Sequence, residues 1–384
     1  MVFILTAKKC DGSIIILLPN MKKEQLREWR KTASFMCPQC EDLVHLKVGE
    51  IIIPHFAHKK NASCSASFSE GESKEHLEGK QQLYEFLRGI GKDVVLEPYF
   101  KSLAQRPDLL VTDDIGQVPI EFQCSTIPVN QIELRTSGYK SAGMRPIWLL
   151  RTPSKLKTLP QGVGIFHFSR FERSFFTHPI PVGLVFLTYD PQFERFHYFS
   201  NLLHVTGKQY IGTHRILPIS KQIFPFARPK TPTEKELEQY VHSYLSMRNK
   251  FLRSRILVNR RGINDPFLRG CYELRITPNQ LPLWIGVPVS FMGSFLENAC
   301  EWQLALLFFM HKRHLKTSNL TEGAIRNFIQ GFEGVSEEMV KACFYYQNFL
   351  LDLGIESLDL ELKLDKAELI KKISNTILAK SNEN

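Results

Sequence analysis

The chain has 384 residues, enough for two or three domains of ordinary size, and its 43% hydrophobic content suffices to bury a real core. Lys and Arg total 49 against 39 Asp and Glu, a formal charge of +10 that favours an acidic partner, nucleic acid first among them. No apolar run approaches the ~20 residues of a membrane span, and the start MVFILTAKKCDGS lacks the basic region and cleavage site of a signal peptide, so a cytoplasmic protein with no membrane partner is expected.

Residues 1–66 read as a small β-rich module. Phe3–Ala7 and Ile14–Leu18 are apolar strands around an Asp11-Gly12 turn, Lys22–Lys31 is a charged helix, and apolar stretches follow at Leu43–Val48 and Ile51–Ile53. Between the helix and the later stretches lies Cys37-Pro-Gln-Cys40, a metal-knuckle spacing, with His55, His58 and Cys64 downstream. Structural Zn²⁺ takes four tetrahedral Cys and His ligands. Cys37, Cys40 and Cys64 offer three, and His58 is the expected fourth, with His55 as the alternative. A redox role fits poorly, because Cys37 does not open a helix in a βαβ unit. The five remaining cysteines are scattered and read as buried small hydrophobes.

Residues 67–152 change character. Leu77, Leu83, Tyr84 and Leu87 place a helix at Ser73–Leu87, which Gly89 and Gly91 end. Strands follow at Val94–Phe100, Leu109–Thr112 and Val118–Cys124, then a helix at Val129–Ala142 and a strand at Pro146–Leu150, the order of a compact α/β unit with a mixed sheet. Residues 153–232 form a β-containing connecting region with strands at Gly183–Tyr189 and Arg195–Phe199 and a Pro-rich linker at 225–232. Residues 233–384 are mainly helical, beginning with a long helix at Thr233–Arg255.

Chemistry concentrates in the second segment. Asp108 follows Arg106-Pro107 at the start of a strand, and twelve residues separate it from Glu121 across a turn. Glu121 and Gln123 sit two apart on one strand and therefore share a face. Two carboxylates converging on a hairpin require compensating charge, which Mg²⁺ or Mn²⁺ supplies through oxygen ligands. Such an ion activates water and neutralises charge on a scissile phosphate.

This pattern of Pro-Asp, spacer, Glu-x-Gln resembles the PD-(D/E)XK nuclease superfamily. The resemblance implies an α/β fold: a restriction-endonuclease-like mixed-sheet core, here with a small β-rich zinc-binding N-terminal module and a mainly helical C-terminal region. It also implies an accessory helical glutamate at Glu75, ahead of His76 and Lys80 in Glu-Ser-Lys-Glu-His-x-x-x-Lys. The superfamily usually carries lysine where this chain has Gln123, and Lys80 would then supply a migrated ammonium, although a helical lysine is ordinarily solvated.

Taken in order, CPQC, IIIPHFAHKKNASC, FSEGESKEHLEGK, RPDLL, IEFQCS and RTSGYKSAGMRPIWLL resemble the competence protein CoiA family over roughly residues 35–151. That resemblance implies a cytosolic protein acting during recombination of incoming DNA in natural transformation, on single-stranded or branched intermediates and beside the recombinase RecA. Further DNA contacts are expected from Arg135, one turn before Tyr139, and from the basic run containing Arg248, Lys250, Arg253, Arg255, Arg260 and Arg261. Trp284 and Trp302 read as core residues. The competing functions are a metal-dependent nuclease and a catalytically silent nuclease fold that binds DNA or a recombinase. A regulator reading DNA through the zinc module ranks last, because no recognition helix follows Cys64.

Overall fold

The computed structural model describes residues 3–59, 73–114, 116–177, 183–257, 264–359 and 365–382. The N-terminal module is built from strands β1 (Phe3–Ile4), β2 (Thr6–Lys9) and β3 (Ile14–Ile16), helix α1 (Lys23–Thr32), and strands β4 (Phe35–Met36), β5 (Leu43–Lys47) and β6 (His55–His58). They form a six-stranded sheet in the order β1-β6-β5-β4-β2-β3. Two expectations shift. The first apolar segment splits at Leu5, so that β1 pairs with β6 while β2 pairs with β3. The break has a physical cause, because the Leu5 and Thr6 N–H groups turn away to donate to the Glu97 carboxylate. The apolar stretch Ile51–Ile53 is a bend rather than a strand, and the strand begins at His55.

Helix α2 (Lys74–Gly89) starts where Ser73 Oγ accepts a hydrogen bond from the His76 N–H, an N-cap of the usual chemistry. It buries Leu77, Leu83, Tyr84 and Leu87 as the periodicity predicts, and also Gly79 and Lys80. Strands β7 (Asp93–Leu96), β8 (Leu109–Asp113) and β9 (Gly116–Gln123) follow as an antiparallel meander, with Leu109 opposite Ile120. Helix α3 (Val129–Ser141) then crosses to β10 (Ile147–Arg151), which runs parallel to β9. Successive residues of β9 face opposite sides. Phe122 meets α2 so closely that a Cβ on Gly79 would lie 2.2 Å from its ring, while Glu121 meets α3. The meander is thus covered on both faces.

The sheet does not stop at residue 152. After α4 (Ser154–Lys157) come β11 (Gly162–His167), α5 (Arg170–Arg173), β12 (Phe176–Thr177), β13 (Val185–Asp190), β14 (Arg195–Thr206) and β15 (Gln209–Pro218). They complete one nine-stranded sheet in the order β11-β15-β14-β13-β10-β9-β8-β7, with β12 paired to β13. The segment expected as a connecting region therefore extends the sheet, joined to it by the parallel pairing of β10 with β13.

Helices α6 (Glu234–Leu257), α7 (Pro266–Glu273), α8 (Ala299–Lys312), α9 (Glu322–Ile329), α10 (Glu337–Asp352) and α11 (Lys366–Asn382) make the remainder mainly helical, as expected. Trp284 and Trp302 are buried in its core, which also takes in Leu203, Val205 and Ile211 from the end of β14 and the start of β15. No helix among the described residues is long and apolar enough to cross a membrane.

Candidate functional site

Asp108 lies one residue before β8, and continuing the β8–β9 register by one step sets it opposite Glu121. Its carboxylate is held from several sides. Oδ2 accepts the Phe122 N–H at 2.8 Å and lies 3.2 Å from His76 Nε2, and Oδ1 lies 3.7 Å from Lys80 Nζ. Burial opposes ionisation here, but the His76 ring, the Lys80 ammonium and the Phe122 N–H outweigh it and hold the Asp108 carboxyl well below the usual carboxylate range.

Glu121 is buried on the α3 side of the sheet. Arg135 forms an ion pair with its Oε1, and the Tyr139 hydroxyl donates to the same oxygen. Burial and the nearby Asp108 charge nevertheless push the Glu121 carboxyl up to about 7, against the pull of Arg135 and Tyr139. The Arg135 guanidinium also donates to the Arg106 carbonyl and stacks over the Trp148 ring. Arg135 was expected to reach a phosphate from the surface. It is instead buried against Glu121, because the helical face carrying Arg135 and Tyr139 packs onto the sheet.

Lys80 is fully buried, not solvated, and its ammonium sits 2.5 Å from Glu97 Oε1. Glu97 is a member of the cluster that sequence reasoning missed. Its other oxygen accepts from the Leu5 and Thr6 N–H groups and the Thr6 hydroxyl, and its backbone occupies the left-handed region at φ 51°. The sequence signal was a lone acid closing the apolar strand Val94-Val95-Leu96. Glu75, the expected accessory acid, is exposed in the first turn of α2. The charges acting on it are those of Arg151 and Lys74, and His76 on the neighbouring face reaches Asp108 instead. Gln123 is half-buried, two residues beyond Glu121, and donates to the Ser125 carbonyl.

In the N-terminal module, the ligand atoms of Cys37, Cys40 and His58 lie within 4.8 Å of one another, a group able to hold a metal ion. Cys40 Sγ and His58 Nε2 are 3.4 Å apart. Burial raises the Cys37 thiol, but hydrogen bonds from His58 and from the Cys40 and Gln39 backbone bring it down to about 7. The alternative ligand His55 faces elsewhere, with Nδ1 on the Ile53 carbonyl and its ring against Phe3. Cys64 lies outside the described residues. Among the described residues no other group of three His, Cys, Asp or Glu side chains converges in this way; Asp108 is held by His76 and Lys80 of α2, and Glu121 by Arg135 and Tyr139 of α3.

The basic run on α6 divides. Arg248 is buried and donates to the carbonyls of Leu281, Pro282 and Ile285. Arg255 pairs with Asp265 and Glu301. Lys250 and Arg253 face solvent, and Arg260 and Arg261 lie outside the described residues.

Comparison with known proteins gives a consistent result. The family described as "Competence protein CoiA, nuclease-like domain" matches residues 72–228, and "Competence protein CoiA, N-terminal domain" matches residues 18–67. The chain is 30% identical to competence protein CoiA of Bacillus subtilis (strain 168) over 286 residues, covering 73% of each chain. No solved structure matches. The cysteine–histidine module and the Asp108–Glu121 hairpin thus fall within the two matched regions, and the chain belongs to the competence protein CoiA family.

Proposed function

We propose that this chain processes DNA during natural transformation, hydrolysing phosphodiester bonds at a PD-(D/E)XK-type site formed by Asp108, Glu121 and Lys80 and assisted by Gln123. The observation that carries the reading is the position of Lys80. Its ammonium lies 3.7 Å from the Asp108 carboxylate, and it reaches the hairpin from α2 rather than from β9, where the superfamily's lysine would replace Gln123. The donor set suits Mg²⁺ or Mn²⁺. Three carboxylates (Glu97, Asp108, Glu121) offer the hard oxygen donors such an ion takes, beside the cations Lys80, Arg135 and Arg106. Mg²⁺ keeps several waters and needs only one or two protein carboxylates, so Asp108 and Glu121 suffice as its protein anchors. When bound, the ion supplies an activated water and neutralises phosphate charge. Lys80 stabilises negative charge developing beside Asp108, and Gln123 orients a water or phosphate oxygen through its amide dipole. The Cys37, Cys40 and His58 group holds a structural Zn²⁺. The substrates are single-stranded or branched intermediates in the cytoplasm, handled beside the recombinase RecA.

One observation favours a second reading. Arg135 and Tyr139 both occupy Glu121 Oε1, and His76 and Phe122 both occupy Asp108 Oδ2, so the protein already satisfies much of the pair by itself. A silent nuclease fold that grips DNA or a recombinase would look the same. The two readings separate when purified protein is incubated with single-stranded, duplex and forked DNA, with and without Mn²⁺, beside Asp108→Ala. Cleavage that requires both the ion and Asp108 supports the enzyme. Binding without cleavage under any metal supports the silent module.

A further inference from the structure

Glu97 stands behind the Asp108–Glu121 hairpin and is tied to two parts of the chain at once. Its backbone N–H donates to the Asp108 carbonyl at 3.0 Å. Its carboxylate is buried between Lys80 and the N-terminal module, and both oxygens are occupied. Oε1 takes the Lys80 ammonium at 2.5 Å. Oε2 takes the Leu5 N–H at 3.0 Å, the Thr6 N–H at 3.2 Å and the Thr6 hydroxyl at 2.9 Å. These three donors all come from the β1–β2 junction, where the first apolar segment breaks. Glu97 also sits at φ 51°, a region entered mainly by glycine, asparagine and aspartate. Such a backbone persists only where the surroundings impose it. Here the Asp108 carbonyl holds it on one side and the Leu5–Thr6 junction on the other.

The consequence falls on Lys80, which has two carboxylates at unequal range. It lies 2.5 Å from Glu97 Oε1 but 3.7 Å from Asp108 Oδ1, and the second distance is beyond hydrogen-bond reach. Asp108 Oδ2 already has the Phe122 N–H and the His76 ring, so Oδ1 is the oxygen that faces Lys80 across this gap. A buried ammonium without a counter-charge is costly. With Glu97 displaced, Lys80 would close on Asp108 and cover Oδ1 as well.

We propose that Glu97 is a positioning residue for the Asp108–Glu121 ion site, and that the N-terminal module sets its position. The Leu5–Thr6 junction fixes the Glu97 carboxylate, the carboxylate draws Lys80 back, and Asp108 Oδ1 is left to the ion. The module is thereby a working part of the site rather than an appendage to it. The inference rests on the reading of a divalent ion at Asp108 and Glu121, and adds how the chain keeps its own lysine from displacing that ion.

The test titrates Mn²⁺ into the zinc-loaded full chain and follows bound ion by electron paramagnetic resonance in the wild type, Glu97→Asp, Thr6→Val and Thr6→Ser. Glu97→Asp keeps the charge but is one methylene shorter, so its carboxylate cannot hold Lys80 and the junction together. Aspartate also tolerates the left-handed backbone. Thr6→Val removes one donor to Glu97, and Thr6→Ser restores it. Thermal melting and zinc content verify folding. The Kd for Mn²⁺ should rise severalfold in Glu97→Asp and in Thr6→Val and return to the wild-type value in Thr6→Ser. None of these variants alters the net charge, so a purely electrostatic influence of Glu97 on the ion would leave all three alike. A folded Glu97→Asp that binds Mn²⁺ as tightly as the wild type overturns the positioning role. Equal affinity in the two Thr6 variants overturns the part assigned to the module, and decides against the whole proposal if Glu97→Asp does not fold. No Mn²⁺ binding by the wild type overturns the ion reading itself.

Discussion

Lys80 Nζ lies 2.5 Å from Glu97 Oε1, and neither side chain is appreciably exposed. The pair joins three parts of the molecule, because Glu97 also binds the β1–β2 junction of the N-terminal module and Lys80 also faces Asp108. Breaking a buried pair by removing one partner is costly, since the remaining charge stays in a low-dielectric setting without compensation. Lys80→Met should therefore lower unfolding free energy by ~3–5 kcal/mol, measured by denaturant titration. Lys80→Met/Glu97→Gln should recover a substantial part of that loss. A single variant as stable as the wild type would mean the pair contributes little.

Glu121 gives the protein a defined pH response. Folded, it keeps its proton up to about 7, against an ordinary value of 4.5, chiefly because it is buried. Between those values the folded chain binds more protons than the unfolded one, so stability falls as pH rises through that window. Asp108 acts in the opposite sense. Its depressed carboxyl stabilises the fold above its ordinary value of 3.8, and that contribution is lost as pH falls further. Glu121→Gln should therefore gain stability relative to the wild type on going from about pH 4.5 to 7, read from melting curves at each pH. Parallel curves for the two proteins would contradict this assignment.

What was legible in the sequence follows the range of the forces involved. The hairpin that pairs Asp108 with Glu121 was readable because strand period and a short turn fix it locally. The same holds for α2, whose apolar spacing and Ser73 cap set its limits, and for the Cys37–Cys40 knuckle with His58. Glu97 was not readable, because two of its partners, Leu5 and Thr6, lie more than 90 positions away in sequence and the third, Lys80, sits on a helix where a lysine ordinarily faces solvent. Arg135 looked like a surface cation, since its helix shows little apolar periodicity and is seated instead by polar contacts to Glu121. The extent of the sheet was missed for a related reason. Strands β14 and β15 are buried along most of their length and lack the alternation that marks a half-exposed strand.

The cysteine–histidine group makes a compositional prediction. Zinc should copurify at about one equivalent per chain, and Cys40→Ser should lower that content and loosen the N-terminal module to proteolysis. Metal analysis of freshly prepared protein that finds no zinc would remove the assignment.

The divided basic run on α6 predicts a split between binding and stability. Lys250→Ala/Arg253→Ala should weaken DNA binding and its salt dependence while leaving the melting temperature nearly unchanged. Arg255→Ala should do the reverse, because it strips the buried Asp265 of an ion-pair partner and should cost roughly 1–3 kcal/mol. Equal effects of the two variants on DNA affinity would argue that Arg255 leaves its acids to contact the nucleic acid.

The central claim is that Asp108 and Glu121 hold a divalent ion despite the protein cations around them. It is tested most directly by titrating Mn²⁺ into zinc-loaded protein and following bound ion by electron paramagnetic resonance, in the wild type, Asp108→Ala, Glu121→Gln and Cys40→Ser. Saturable Mn²⁺ binding is expected in the wild type, retained in Cys40→Ser and lost in both carboxylate variants. Wild-type protein that binds no Mn²⁺, or binds it equally well without Asp108, would contradict it.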